Sequence, residues 1–532
     1  MDINWKQISG TRSICSCIIA VAMLFSVSNA IAVEWDPDRK ILLGNDWEVE
    51  LTGYARWMGA VLIDDQPETA GDDSGELAMN RYILQPGLDG KIGRNFRWRI
   101  EYRFAREHNT SYLRDLRDLG AAGGPNGNGL PRELYNESEF RDTYIDFNVG
   151  QRTNLRLGRQ QIAFGETDFF QALDLIHGFD FRWRNFLVPE NEDTRKPLNM
   201  AVLNQEFGRY SSMQFVAIPG QLNRDQDFGS DFDLSGGRWG VQPFRGVDFL
   251  QSGLTPFNRD HTEGDTDDFK GAARWRSMIG PVNYSIAYLH VHNPDPMVNS
   301  LLNPFKETPA NGEFSEFIFP IIDVLGFTAS GYSEMFDAVF STEIAYTFDK
   351  PMNVGRNPQD GCSGFAAPPG VPPGFCGIAE KDMITVMLRG DWVARWTESV
   401  FKTSRPGFLS VQLFNDHVFN LSKSDDVVDL GGFSGRKKQD SALLTWIFNL
   451  NYRNDRINPG FAGGTDLSNG GGFLLPNVEF QFGDRLRLRG EFIYFWDEGS
   501  ANVGTVDATR DVHVFGYFDN TNQLFARLTY QF

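Results

Sequence analysis

Strict two-residue alternation is the feature that most constrains how this chain folds. From Phe96 to Phe104, every even position holds an aromatic residue or Ile, and every odd position holds Arg or Glu. Only a β-strand places alternate residues on opposite faces, because a helix would mix the two sets. The pattern recurs in residues 142–149, 282–290, 338–348, 444–452, 485–494 and 524–532. The chain is therefore predicted to be all-β.

Composition favours a membrane barrel over a soluble sandwich. Mean hydropathy is only −0.35, although 14% of the residues are aromatic and 45 are Phe. Strands with a lipid-facing apolar side and a polar lumenal side produce this balance. A soluble β-sandwich also alternates, but charged faces dense in Arg and Glu, and aromatics near strand ends, favour a barrel. We predict a transmembrane antiparallel β-barrel of about 14–18 strands with long external loops.

The N-terminus predicts export. Lys6 and Arg12 precede an apolar stretch at residues 14–27, and Ala30-Ile31-Ala32 fits a small-x-small cleavage site. Residues 1–32 are therefore predicted to be a cleaved signal peptide, and residues 33–532 to form the barrel domain. The predicted location is the outer membrane of a Gram-negative cell, with outer-membrane lipid and lipopolysaccharide as partners.

The C-terminal strand carries a second indication of this location. Tyr530 and Phe532 share its apolar face, and Phe532 is the last residue of the sequence. An amphipathic final strand with a terminal Phe resembles the assembly signal of bacterial outer-membrane barrels, which implies recognition by the barrel-assembly machinery. The net charge of −20 argues against nucleic acid as a partner, since nucleic-acid binding needs a basic surface.

Catalytic and metal-binding motifs are missing from the sequence. No GxSxG, HExxH, P-loop or CxxCH motif occurs, and His290 and His292 lack an evident third ligand. We therefore predict no enzyme activity, cofactor or metal, although a Ser/His pair assembled in space stays open. After export, Cys362 and Cys376 are predicted to form a disulfide worth about 3 kcal/mol.

Residues 169–200 interrupt the alternation. Phe169, Phe170, Leu173 and Ile176 recur at helical spacing, and charged residues follow them. Irregular backbone cannot face lipid, but it can fold into a lumen. This segment is predicted to fold inward as a plug, with an external loop that packs on itself as the alternative.

Three motifs near this segment carry a family resemblance. They are Gly158-Arg159-Gln160, Phe164-Gly165-Glu166 and Asp193-Thr194-Arg195-Lys196-Pro197. The chain resembles a large proteobacterial family catalogued as domain of unknown function thirteen hundred and two. It departs from the family at residues 177–180, which read HGFD where Asn-Pro-x-Asp is frequent, and at Phe164, where Trp is common. Alginate-export porins, which have similar barrel patterning, are the alternative family that the chain resembles.

The resemblance implies an outer-membrane barrel associated with the use or movement of hydrophobic compounds such as lipids, steroids or terpenoids. We therefore predict a channel or transporter for such compounds. The alternatives are a general or anion-selective porin, a polysaccharide export porin, or a non-transport envelope or adhesion barrel.

The predicted site is a charged lumen together with the non-alternating segment. The strand residues expected to point inward are Arg97, Arg99, Glu101, Arg103, Arg485, Arg487, Arg489 and Glu491, with Asp142 and Asp146 as further candidates. The segment and its flanks contribute Arg159, Gln160, Glu166, Asp180, Trp183 and Arg195. These charges could tune selectivity or brace the lumen, and the sequence does not decide between the two.

Overall fold

The computed structural model describes residues 33–35, 40–43, 47–123, 135–188, 191–242, 245–246, 248, 250, 255–301, 303–355, 376–428, 435–497 and 513–532. The predicted signal peptide and Cys362 lie outside these residues, so the cleavage and the disulfide partner stay predictions. Cys376 is buried and disulfide-bonded. No helix in the described part of the chain is long and apolar enough to span a bilayer.

The described residues form 22 strands and a few short helices. The strands are β1 Val33–Trp35, β2 Lys40–Leu43, β3 Trp47–Leu62, β4 Leu77–Ile92, β5 Phe96–Glu107, β6 Glu137–Asn148, β7 Thr153–Gln160, β8 Leu198–Phe207, β9 Ser211–Ile218, β10 Lys270–Ile279, β11 Val282–His292, β12 Met297–Ser300, β13 Ser315–Ile318, β14 Ile321–Ser333, β15 Ala338–Asn353, β16 Ile378–Ala394, β17 Gly407–Val418, β18 Asp440–Asn449, β19 Ile457–Asp466, β20 Gly472–Phe482, β21 Leu486–Trp496 and β22 Gln523–Gln531. The α-helices are Ser111–Gly123, Asn191–Thr194 and Trp396–Val400, and the 3-10 helices are Gly220–Leu222, Asp225–Asp227, Ala310–Gly312 and Gly516–Phe518.

Antiparallel pairing closes the sheet into a barrel. Strands β3–β11 pair in sequence order, as do β14–β22. Strand β11 pairs with β14, and β22 pairs with β3 from Gln523↔Leu62 to Gln531↔Tyr54, which gives 18 barrel strands. Outside this ring, β1 and β2 extend the sheet beside β3, and β12 pairs with β13. The predicted all-β barrel is confirmed, and its strand number lies within the predicted range.

Connections differ in length between the two ends of the barrel. At the short-turn end, tight turns such as residues 280–281 and 483–485 join neighbouring strands, and Gly280 and Gly483 adopt positive φ of 58° and 61° there. Glycine adopts this conformation without steric cost. The long-loop end carries long connections, among them residues 161–197, 219–269 and 293–320.

The burial pattern of the strands is the inverse of that in a soluble protein. On β5, Glu101, Arg103 and Glu107 are buried, whereas Ile100, next to Glu101, is 38% exposed. On β4, Leu84 is 46% exposed while Arg81 is buried. Charged side chains thus line the inside of the barrel and apolar side chains cover the outside. An apolar outer face on a closed barrel is the pattern of membrane-spanning strands.

Candidate functional site

The connection between β7 and β8 reaches nearly opposite walls of the barrel. We call residues 161–188 and 191–197 the β7–β8 segment. Asp193 forms ion pairs with Arg56 on β3 and, at 3.3 Å, with Arg103 on β5. Across the barrel, the carboxylate of Glu343 on β15 accepts the backbone N–H groups of Glu166 and Leu173. The segment therefore lies within the barrel and contacts both sides, whereas its role as a plug stays a prediction.

Asp193 is held as a carboxylate by its partners. Burial opposes its ionisation, but Arg56 and Arg103 outweigh burial and lower the pKa of Asp193 below its usual range. The Tyr54 hydroxyl also donates to Asp193 at 3.0 Å, and Arg103 donates to the Asp193 carbonyl at 2.7 Å. Breaking one partner of a buried ion pair leaves an uncompensated charge, so this contact fixes the segment to the wall.

The other charged residues of the Asp193–Pro197 motif also have specific partners. Arg195 pairs with Asp174, within the same segment. Lys196 pairs with Asp231 at 2.9 Å and donates to the Gly229 carbonyl at 3.0 Å. The motif thus connects the segment to the barrel wall, to itself and to the β9–β10 connection.

His177 lies inside the segment as a neutral side chain. Its Nε2 atom accepts the Ile162 N–H at 3.0 Å, and its Nδ1 atom lies 2.8 Å from the Lys196 carbonyl oxygen, to which it donates. Burial, together with the nearby Arg195, lowers the pKa of His177 to about 3. The histidine acts as a structural link and does not titrate near neutral pH.

Aromatic residues fill the long-loop half of the barrel interior. The Phe186 ring lies 5.3 Å from that of Phe473 on β20 and 6.1 Å from that of Phe515, and the Phe169 ring lies 5.4 Å from that of Phe473. We define the aromatic cluster as Phe169, Trp183, Phe186, Trp239, Phe473, Phe495, Phe515, Tyr517 and Phe518, all of which are buried. The segment thus contributes apolar side chains to a core shared with strands and long loops.

Arginines that have acidic partners line one cavity beside the segment. The acidic cavity has a volume of about 550 Å³. Within it, Arg389 pairs with Asp168 at 3.1 Å and with Asp391 at 2.9 Å, and Arg195 pairs with Asp174. Its charged lining residues are Glu166, Asp168, Asp174, Glu192, Arg195, Arg389 and Asp391. Acidic groups therefore outnumber basic ones.

A second cavity adjoins the first and has the opposite balance of charge. The basic cavity has a volume of about 600 Å³ and opens beside the short turns at residues 208–210 and 280–281. Its charged lining residues are Glu166, Glu206, Arg209, Arg274 and Arg276. The two cavities share Glu166 and Gly165, so the segment forms part of the wall of each.

Most of the strand residues predicted to line the lumen form ion pairs within the barrel. Arg99 pairs with Glu101 at 3.0 Å, and Arg489 pairs with Glu491, which also pairs with Arg184 of the segment. Arg103 contacts Asp193, as described above. Asp146 pairs with Arg156 at 2.7 Å, and the Asp142 carboxylate accepts the Gln161 N–H at 3.1 Å.

Three predicted arginines lie closer to the short-turn end. Arg97 is exposed, Arg485 is exposed in the turn before β21, and Arg487 is half-buried. The Arg485 carbonyl accepts the Gln531 N–H at 2.8 Å. The predicted lumenal role of these three residues stays a prediction.

The candidates on the segment and its flanks have different surroundings. Arg159 pairs with Asp227 at 2.8 Å, and Gln160 donates to the Met200 carbonyl at 3.1 Å. Asp180 pairs with Arg182 at 2.8 Å, and Trp183 is buried beneath Arg81. Glu166 and Arg195 line cavities, whereas the first four make structural contacts.

Sequence reasoning missed five residues that organise this site. They are Arg56, Glu343, Arg389, Arg274 and Arg276. Each lies on a strand, and Arg274 and Arg276 alternate with Ala273 and Trp275. The alternation that revealed Phe96–Phe104 could therefore have found the β10 pair. The contact of Glu343 with backbone N–H groups has no sequence signal.

A cluster of three carboxylates at the long-loop end has the spacing of metal ligands. Among the described residues, the carboxylates of Asp73, Glu76 and Asp115 lie within 4.8 Å of one another. Burial, Glu76 and Asp115 raise the pKa of Asp73, although a hydrogen bond from Thr69 opposes them. Acidic clusters are common without an ion, so the prediction of no metal site stays a prediction.

The closed antiparallel barrel, its apolar exterior and its charged interior define a porin-like β-barrel of the outer membrane. The family model described as "Protein of unknown function (DUF1302)" matches residues 16–532, and the chain belongs to this family. The predicted family membership is therefore confirmed. No curated protein matches the sequence significantly.

Solved porins show a distant likeness. OmpF of Salmonella typhi, solved in complex with daunomycin, is 8% identical, with a TM-score of 0.41, over 93% of this chain and 100% of that chain. A BenF-like porin from Pseudomonas fluorescens Pf-5 and OpdK of Pseudomonas aeruginosa, solved with vanillate, are each 8% identical, with TM-scores of 0.42, over 92% of this chain and 98% of theirs.

Proposed function

We propose that this protein is an outer-membrane channel, plugged by the β7–β8 segment, that passes hydrophobic compounds. The aromatic cluster is the observation that carries the proposal. It occupies the long-loop half of the interior, where the segment meets β20, β21 and the long connections. A compound entering from that end would meet the aromatic rings of this cluster.

The anchoring of the segment argues against a permanently open pore. Arg184 of the segment pairs with Glu491, and each side chain is 1% exposed. Asp193 and Glu343 hold the same segment to other strands, as described above. Passage therefore requires these contacts to rearrange, and we expect little ionic conductance in the resting protein.

The same proposal assigns partners to the outer surface. Outer-membrane lipid and lipopolysaccharide would contact the exposed apolar side chains of the strands. The barrel-assembly machinery would recognise Tyr530, which is 43% exposed, and Phe532. We also propose that the protein is not an enzyme and that its export depends on a signal peptide in residues 1–32.

Uptake by a deletion strain tests the transport proposal. We expect loss of the protein to reduce uptake of a labelled steroid severalfold and to leave uptake of a labelled disaccharide unchanged, and the wild-type gene to restore steroid uptake. If only disaccharide uptake falls, the channel is a hydrophilic porin. If neither falls and the protein is non-conducting in planar bilayers, transport is wrong.

A further inference from the structure

Two arginines on β10 share a single neutral acceptor. Arg274 donates to the Gln214 side-chain oxygen at 2.8 Å, and Arg276 donates to the same oxygen at 3.4 Å. Among the described residues, neither guanidinium forms an ion pair. Two like charges beside one amide oxygen are poorly neutralised, since each guanidinium has five donor N–H groups.

The two arginines differ in what else they contact. Arg274 is 6% exposed, donates to the Phe164 carbonyl at 3.1 Å and lies 4.0 Å from the centre of the Phe164 ring. It therefore holds the β7–β8 segment. Arg276 is exposed to the basic cavity, and Gln214 is its one hydrogen-bond partner among the described residues. Arg276 is thus the guanidinium available to a ligand.

In the acidic cavity, by contrast, the arginines that line the wall are neutralised by ion pairs. There, Asp168 and Asp391 neutralise Arg389, and Asp174 neutralises Arg195. In the basic cavity, Glu166 acts on Arg276 only as a neighbouring charge, and among the described residues neither Glu166 nor Glu206 forms an ion pair with it. A bound anion would supply the missing acceptor through charge-assisted, bidentate hydrogen bonds, for which guanidinium geometry is suited.

We propose that the basic cavity binds a small organic anion, with Arg276 contacting its acidic group and Arg274 adding positive charge. The cavity volume of about 600 Å³ exceeds the needs of an inorganic ion. Ala163, Phe164 and Met278 line it beside Ser212 and Ser277, so an apolar body would lie against the segment while hydroxyls surround the acidic end. The fitting ligand has one carboxylate or sulfonate and an apolar group.

The binding site rests on the proposed function in one respect, the choice of which transported compounds it selects. If hydrophobic compounds pass the barrel, the basic cavity selects those that carry one acidic group. The binding site itself stands on the geometry of β10, so binding and transport are tested separately.

Calorimetric titration of the full-length protein in a non-ionic detergent tests the site. The probes are benzoate, benzylamine as its cationic counterpart, and inorganic phosphate. We expect benzoate to bind saturably, and benzylamine and phosphate to bind at least tenfold more weakly. R276Q should weaken benzoate binding at least tenfold, R276K should recover part of it, and R94Q should leave it unchanged, because Arg94 is exposed and does not line the cavity.

Each other outcome overturns the proposal. If benzoate does not bind, or if it binds R276Q as tightly as the wild type, Arg276 is not the residue that contacts the anion. If benzylamine binds as tightly as benzoate, the site does not select negative charge. If phosphate binds as tightly as benzoate, the ligand does not need an apolar group. If benzoate binds as expected while steroid uptake does not depend on the protein, the site stands and the proposed transport function fails.

Discussion

The two halves of the barrel interior are built differently. In the long-loop half, the aromatic cluster surrounds buried ion pairs such as Arg184–Glu491 and, at 3.0 Å with both side chains fully buried, Arg238–Glu107. The short-turn half keeps two cavities of about 550 and 600 Å³ lined by charged and hydroxyl groups. The β7–β8 segment separates the two environments.

This difference indicates that the two halves have different roles. An ion pair without water nearby is strongly destabilised when one partner is removed, so the long-loop half resists opening. Charges beside open cavities are screened and contribute little to stability, but they remain available to solutes. Closure is thus expected to depend on the long-loop half and recognition on the short-turn half.

The largest expected effect comes from breaking the buried pair of the long-loop half. E491Q leaves Arg184 without its carboxylate and should lower the free energy of opening of the segment by about 3–5 kcal/mol. Amide exchange in peptides covering residues 161–188 should accelerate about a hundredfold or more, since each 1.4 kcal/mol is tenfold. Mass spectrometry of the exchanged peptides measures this.

A matched change in the short-turn half provides the control. D391N removes one of two carboxylates from Arg389, which lies beside a cavity, and should cost about 0–1 kcal/mol. The double variant R184M/E491L removes both buried charges and should regain most of the lost protection. Similar exchange in E491Q and D391N would show that the halves do not differ in how they hold the segment.

Replacing Glu343, at the boundary between the halves, should have an intermediate effect on the stability of the segment. Replacing Glu343 by Ala leaves the N–H groups of Glu166 and Leu173 without their acceptor, which should cost roughly 2–3 kcal/mol. Gln at this position retains one acceptor oxygen and should cost less. We expect exchange at these two amides to accelerate more in the Ala variant than in the Gln variant, and the reverse order would exclude the hydrogen bonds as the anchor.

Acid should loosen the segment through His177. Its folded-state pKa is about 3, and a freed histidine has a pKa of about 6.5, so below pH 6.5 the opened segment binds a proton that the closed one does not. The closed segment has its full stability above pH 6.5 and loses stability as the pH falls toward 3. At pH 5 the loss is about 2 kcal/mol, since each pH unit below 6.5 is worth about 1.4 kcal/mol.

Amide exchange in the segment, corrected for its intrinsic pH dependence, measures this effect. H177Q should remove the acid-induced acceleration between pH 6.5 and 5, whereas H108Q should keep it, because His108 is exposed. A segment that stays equally protected at pH 5 and pH 7 in the wild type would show that His177 is not released on opening.

The sequence predicted the barrel because strand alternation is a local property. Arg103 and Glu491 were assigned to the interior from the residues beside them. Their partners could not be predicted, because Asp193 lies 90 residues from Arg103 in sequence and Arg184 lies 307 residues from Glu491. The cavities depend on how an irregular segment crosses the barrel, and no periodic pattern describes that path.

The smallest expected effect concerns ion selectivity and compares the two cavities directly. Channel openings of E491Q in planar bilayers under a KCl gradient report whether cations or anions pass preferentially. Adding R276Q removes a positive charge from the basic cavity and should shift the reversal potential toward cations, whereas adding D391N to the acidic cavity should shift it toward anions. Each change should be worth less than about 1 kcal/mol, because both groups are partly solvated. Shifts of the same sign would mean that ions bypass one cavity, and the selective path would then lie along the other.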